Sequence, residues 1–316
     1  MSEHEAAARP RVAHSALFEL VVGVGLSVVG LVPLTPYDTP FVERDPVLSR
    51  PLVDSTVPTW MLALLAVIFP ALALLLLLGI SASRKQVRFR SAVTTGVWVY
   101  LAAMCTLGLT MAATNVLKNL VGRKRPNFFG LCNYAGSFNQ ADQAAYLAAT
   151  EPGRIGSLSR CTGSAHDLAD GQRSFPSGHS STAFAGTSFL VFALRGALGV
   201  GEGTYFSPRA LLAGTPLLLA SWIGATRLRD GWHNYDDVAV GAAIGILAAA
   251  AGWAHLCAHA SQRDAYNLLL GPAVQPGGAE LPAVGLTAPE RAAQAGERAD
   301  NHLIDEREAA RSDSAV

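Results

Sequence analysis

Lys118 with Arg125-Pro126, then Pro176-Ser177-Gly178-His179, then Arg227 with His233 and Asp237 form three short polar clusters at the ends of hydrophobic runs. Ionisable groups beside hydrocarbon are costly, so each is a candidate functional residue by default. Their types suit phosphoryl transfer. A phosphoryl group in transit spreads negative charge over its equatorial oxygens, and fixed Lys and Arg donors stabilise that charge. In the first cluster Lys118 ends a run and Arg125 follows beyond Gly122, with Pro126 stopping any further helix, so two cations reach one patch. Arg227 supplies a third. Gly178 lets backbone amides approach an anion at a helix N-terminus, the Ser177 hydroxyl is a further donor, and His179 is placed as a general acid. His233 and Asp237 are four residues apart, so a helix beginning before His233 puts both on one face. There the carboxylate holds the ring in one tautomer and presents the other nitrogen as a nucleophile. Asp236 could take the place of Asp237, and Asp230 is a poorer partner.

Each cluster also has a plainer reading. Lys118 and Arg125 suit headgroup anchoring by snorkelling side chains, and Arg123 and Lys124 between them read as interfacial charges. Serine ahead of an apolar helix is ordinary capping, although capping needs no histidine. Acids beside His233 favour the helix dipole at an N-terminus. A metal is disfavoured, because the chain offers neither the tight His/Cys spacing of zinc sites nor a carboxylate cluster for magnesium. Three cationic side chains can carry the charge instead, and the expectation is turnover without metal or cofactor.

The elements that must position these residues are membrane spans. Half of the 316 residues are hydrophobic and only 15% are charged, well below the usual quarter, which marks a membrane protein. A span takes roughly 20 apolar residues, and residues 16–34, 59–80, 92–117, 181–198, 209–223 and 238–257 come near that length. The first could be a signal peptide, but Glu19 interrupts it and no clean cleavage site follows, so it reads as a retained helix. The fold expected is all-α: a polytopic membrane protein of six transmembrane helices, with its catalytic loops on the non-cytoplasmic face.

Sidedness follows from charge. Residues 83–90 are basic without one acid, whereas the connection from the first to the second span carries Asp38, Glu43, Asp45 and Asp54 against Arg44 and Arg50. The basic loop is then cytoplasmic. Both termini fall on that side, and the loops holding all three clusters share the opposite one. The expected parts are a cytoplasmic tail over 1–14, a membrane domain over 15–262 and a disordered cytoplasmic tail over 263–316. Cys132 and Cys161 lie in the long outward loop, where a disulfide can form; Cys105 and Cys257 lie within spans. The formal charge is zero, so no global field recruits nucleic acid.

In order and internal spacing, the three clusters resemble the three-part signature of the type 2 phosphatidic acid phosphatase superfamily. Gly122-Arg123 before Arg125-Pro126, Ser174-Phe175 before the second cluster and Ser55-Thr56-Val57-Pro58 before the second span are most similar to eukaryotic lipid phosphate phosphatases. The resemblance covers residues 31–245. Thr226 stands where the third motif usually has Ser, and both supply a hydroxyl. The resemblance implies six membrane helices, an outward-facing site and a phosphohistidine intermediate. It implies that His233 attacks phosphorus, that Asp237 orients it, and that His179 protonates the leaving alkoxide and then activates water. Lys118, Arg125, Ser177, Gly178 and Arg227 would bind the phosphoryl oxygens. The implied partner is a lipid phosphate held in the bilayer, such as phosphatidate, lysophosphatidate, ceramide phosphate or sphingosine phosphate. Isoprenoid diphosphates are the nearest enzymatic competitor, and a catalytically silent lipid-phosphate-binding protein is the competitor on the same scaffold. A transporter would keep ionisable groups deep in its spans; Glu19 alone sits so.

Overall fold

The apolar runs are helical in the computed structural model, which describes residues 18, 20–30, 32, 34–43, 45–84, 89–134, 153–200 and 205–259. Along the chain these helices are α1 (Leu20–Gly30), α2 (Thr59–Arg84), α3 (Phe89–Val121), α4 (Phe128–Cys132), α5 (Ala165–Gly171), α6 (Gly178–Ala197), α7 (Pro208–Gly214), α8 (Pro216–Arg229) and α9 (Tyr235–His259). Among the described residues there is no strand, only the isolated bridges Val42–Ile155 and Tyr134–Cys161. The expected tails over 1–14 and 263–316, residues 85–88 of the basic loop, and Glu19 lie outside the described residues.

Four stretches among the described residues are long and apolar enough to cross a membrane: Thr59–Arg84, Ala92–Val121, Pro208–Arg229 and Tyr235–Cys257. Leu72, Leu75 and Leu76 of α2 are exposed, as are Leu218 of α8 and Leu247 of α9. Leucines facing outward along whole helices suit hydrocarbon rather than water. Pro70 has no N–H for the carbonyl of Ala66, and the turn at Leu64–Ile68 widens to a π-helix there, with the Phe69 amide donating to Leu64. The last span begins at Tyr235 rather than at residue 238, because Asp236 and Asp237 sit in its first turn, where the helix dipole favours acids.

The run expected as a fourth span, residues 181–198, folds as α6 but is not among those four. It packs against α9, α8, α3 and α2. A helix enclosed by others has no lipid-facing stripe to keep apolar, so Ser180, Ser181, Thr187 and Ser188 are buried in it. Hydroxyls there are satisfied locally, Thr187 Oγ1 donating to the Ala183 carbonyl at 2.7 Å. Gly241 and Gly245 let α9 close on α6: a Cβ there would come within 2.5 Å of the Ser177 carbonyl oxygen and 2.3 Å of that of Ser181. The first run is described as a helix only over Leu20–Gly30, shorter than a span.

The stretch between α3 and α6, together with the chain before α2, builds a small cap at the end of the bundle. Phe41, Leu48, Phe128, Phe129, Cys132 and Tyr134 form its apolar core. Cys132 and Cys161 are disulfide-bonded across it. Buried Glu43 accepts from Tyr134 Oη at 2.8 Å and Arg160 Nη1 at 2.6 Å. Gly122 makes the turn from α3 into this cap at φ 60°, and a Cβ there would lie 1.7 Å from the Tyr37 carbonyl oxygen. Only glycine fits both the left-handed backbone and that approach.

Candidate active site

Beyond Gly122 residues 123–125 belong to no helix or strand and the chain turns at Pro126-Asn127, so successive side chains take different directions. Arg123 and Arg125 turn toward α9, and Lys124 turns into the cap. Lys124 is 5% exposed; its Nζ donates to Asp38 at 2.8 Å and Gln172 at 3.1 Å, over the rings of Phe41 and Phe128. Burial pushes its pKa down, against the opposing pull of Asp38. Lys124 is therefore a buried cation rather than an interfacial charge, whereas Arg123 stays partly exposed. Arg123 bonds Asp236 and, at 3.0 Å, Oδ1 of Asp237.

Arg125 is buried and held on three sides. Its Nε donates to the Asp170 carbonyl at 2.7 Å, Nη2 to the Asp170 carboxylate at 2.6 Å, and Nη1 lies 3.3 Å from Nε2 of His233. Its guanidinium also stacks 5.2 Å from the Trp232 ring. An arginine can only donate, so Nε2 of His233 presents a lone pair and the ring hydrogen belongs on Nδ1. That nitrogen faces Asp237 Oδ2 at 3.6 Å, an ion-pair separation longer than a made hydrogen bond. Asp237 is fully buried and takes Ser174 Oγ at 2.6 Å and the Asn234 amide at 2.8 Å on the same oxygen. Burial pushes the His233 pKa well below its ordinary value; Asp237 opposes, and the Arg125 and Lys118 charges add to the depression. The ring is neutral at neutral pH.

Ser177 caps α6, its Oγ accepting from the Ser180 amide while its own amide donates to the Asp237 carbonyl at 2.9 Å. The nearest side chain to Gly178 is that of Lys118, whose Cε would lie 3.6 Å from a Cβ there. Lys118 Nζ donates to the Arg173 carbonyl at 2.6 Å, which leaves ammonium hydrogens for an anion at this helix start. His179 Nε2 lies 2.9 Å from the Val57 carbonyl and so carries its hydrogen there, leaving Nδ1 with the lone pair.

Arg227, 2% exposed, donates Nη1 to Ser55 Oγ at 2.6 Å and Nη2 to Asp230 at 3.1 Å. Asp230 in turn accepts from the amide and hydroxyl of Thr56 at 2.7 and 2.8 Å. The carbonyl of Arg227 accepts the amides of Trp232 at 3.0 Å and His233 at 3.3 Å, tying the third cluster into one turn. Arg50 links the first cluster to the third, its amide donating to Pro126 and its Nη1 to Leu228, both at 2.9 Å.

The structure thus gathers Lys118, Arg125, Ser177, Gly178, His179, Arg227, His233 and Asp237 at one end of the bundle. Among residues that the clusters alone did not indicate, Asp170 holds Arg125, Ser55 holds Arg227 and Val57 holds His179. Among the described residues no three His, Cys, Asp or Glu side chains gather as a metal site. An arrangement of one lone-pair imidazole, a second imidazole, three cations and a helix start can bind a tetrahedral oxyanion and attack its centre.

The chain spans 62% of lipid phosphate phosphatase 2 from Arabidopsis thaliana, less than two thirds of that protein, at 31% identity over 64% of its own length. It is 32% identical to a probable diacylglycerol pyrophosphate phosphatase 1 from Schizosaccharomyces pombe, over 73% of this chain and 77% of the yeast protein. With diacylglycerol pyrophosphate phosphatase 1 of Saccharomyces cerevisiae the identity is 30% over 68% of this chain and 69% of the other. Residues 96–261, just over half the chain and containing all three clusters, match the PAP2 superfamily. By that match and those relatives, the chain belongs to the PAP2 superfamily.

Proposed function

We propose that this protein is an integral membrane phosphatase of lipid phosphates that works through a phosphohistidine on His233, without a metal. The observation that carries the reading is the setting of that ring: Nε2 faces the Arg125 guanidinium at 3.3 Å while Nδ1 faces Asp237. The Nε2 lone pair forms a P–N bond as the ester P–O bond breaks. Nδ1 of His179, which holds the lone pair at rest, takes the remaining proton of the phosphomonoester monoanion and passes it to the leaving alkoxide, Nε2 of that ring being committed to Val57. In the second step Nδ1 accepts a proton from water, the water oxygen attacks phosphorus, and the P–N electrons return to His233. Lys118, Arg125, Arg227, the Ser177 hydroxyl and the Gly178 amide hold the phosphoryl oxygens, so the charge is met by cations and the α6 N-terminus.

The substrate class is a phosphomonoester whose acyl chains stay in the bilayer, phosphatidate to diacylglycerol being the type reaction. Relatives named for diacylglycerol pyrophosphate favour a second reading, removal of the terminal phosphate from a lipid diphosphate. For topology we propose six spans within residues 15–262, counting α6 and the run containing α1, with both termini cytoplasmic and the site on the lumenal or extracellular face. The test is phosphate release from micellar phosphatidate, sphingosine phosphate, lipid pyrophosphate and isoprenyl diphosphate, with EDTA present. Acid-labile, alkali-stable label on the protein after quenching with ³²P-phosphatidate is the expected intermediate, absent in His233→Ala. Full turnover by His233→Ala refutes the nucleophile, and abolition by EDTA refutes the metal-free route. A protease-cleavable tag within residues 135–152, cut only from the non-cytoplasmic side, tests the orientation.

A further inference from the structure

Asp237 takes its side-chain hydrogen bonds from three separate stretches of chain. Arg123, beyond the end of α3, donates to Oδ1 at 3.0 Å; Ser174, ahead of α6, donates to Oδ2 at 2.6 Å; the Asn234 amide, ahead of α9, donates to Oδ2 at 2.8 Å. The first two arms are themselves tied, the Ser174 amide donating to the Arg123 carbonyl at 2.9 Å. Ser174 is fully buried, and Arg123 shares its Nη1 between Asp237 and the exposed Asp236. Without these arms only the Asn234 amide would fix the carboxylate, and rotation about Cα–Cβ could carry Oδ2 away from the imidazole.

We propose that Arg123 and Ser174 are positioning residues for phosphoryl transfer, a two-armed clasp that holds Asp237 in the one orientation that aims Oδ2 at Nδ1 of His233. The inference rests on His233 being the nucleophile. It gives each segment that carries a cluster a second duty: besides its phosphate ligand, the first brings Arg123 and the second brings Ser174 to the same carboxylate of the third. The charged groups facing the His233–Asp237 pair are Arg123 and Arg125 from the connection after α3, Lys118 from α3 and Asp236 from α9. Removing Arg123 takes away a cation beside Asp237, so the imidazole should hold a proton to higher pH.

The test compares Arg123→Gln, Arg123→Lys, Ser174→Ala, Asp236→Asn and His233→Ala in detergent micelles with phosphatidate, measuring kcat and KM across pH. Arg123→Gln should lower kcat about 10- to 100-fold, change KM by less than about threefold, and move the acid limb of kcat/KM up by about half to one pH unit. Arg123→Lys should return the limb toward wild type and recover part of kcat. Ser174→Ala should lower kcat and leave the limb nearer its wild-type position, because no charge is lost. A purely structural arginine would lower melting temperature and active fraction without moving the limb. An unmoved limb in Arg123→Gln, with His233→Ala inactive, overturns the clasp alone; so does an Asp236→Asn variant that reproduces the Arg123→Gln profile. Turnover in His233→Ala overturns the nucleophile and the clasp with it.

Discussion

Arg125→Lys isolates geometry from charge. Lysine keeps the cation but lacks the fork, so three contacts vanish together: Nε on the Asp170 carbonyl at 2.7 Å, Nη2 on its carboxylate at 2.6 Å, and Nη1 beside His233 Nε2 at 3.3 Å. One preorganised donor on a developing oxyanion is worth about 2.7–4 kcal/mol, so kcat/KM should fall about 10²- to 10³-fold. The folded state should lose much less. The Asp170 side chain is one third exposed while Arg125 is buried, so the pair is partly open to water; at about 1 kcal/mol its loss lowers the melting temperature by roughly 2–4 °C for a domain of this size. Phosphate release from micellar phosphatidate, read beside a thermal melt of the same preparation, separates the two effects. Asp170→Asn should lie between, with a loss of about tenfold, because the backbone carbonyl still holds Nε. An Arg125→Lys enzyme within about threefold of wild type would refute the idea that this guanidinium is aimed at the transferring group. A loss matched by collapse of the melt would refute it equally.

The depressed His233 pKa fixes a sign for stability. The unfolded ring takes up its proton near pH 6.5 and the folded one only below that, so this contribution is complete above about pH 6.5 and is lost as the pH falls toward the lowered folded value. Melts at pH 7.5 and 5 should show a fall that His233→Gln flattens, and kcat/KM should hold its plateau below the usual histidine range. Cys132→Ser should loosen the cap: a cross-link between residues 29 apart is worth about 3–4 kcal/mol by chain entropy. Because that cap carries Asp170, activity should fall on reduction with dithiothreitol, and Cys105→Ser should leave that sensitivity to reduction unchanged. Gly122→Ala should cost about 1–2 kcal/mol for the left-handed backbone alone, and more for displacing Tyr37, so it should lower the melting temperature and shift Arg125 off the site. A wild-type melt and turnover in that variant would mean that this turn does not set the spacing from Lys118 to Arg125.

What the chain showed in advance was local. His233 and Asp237 are four residues apart and Ser177 immediately precedes an apolar helix, so residue type and short spacing suffice to single them out. What it concealed depends on partners far along the sequence. Arg123 reads as an interfacial charge until Asp237, 114 residues on, is brought beside it, and Lys124 reads the same until the cap encloses it. Even so, a signal was present. Gly122 ends α3 ahead of these residues, so the three cations 123–125 leave the helix and need not lie on the surface of its last turn. The interior of α6 misleads for a related reason: its hydroxyls lower its apolarity, and among its residues none is exposed, so they sit against neighbouring helices. Ser55-Thr56-Val57-Pro58 is the plainest case. It carries no charge and no histidine, yet its three residues ahead of the proline hold Arg227, Asp230 and His179 across more than a hundred residues each. A site built from cations and imidazoles needs neutral groups to fix their directions, and those groups have no composition that marks them before the fold does.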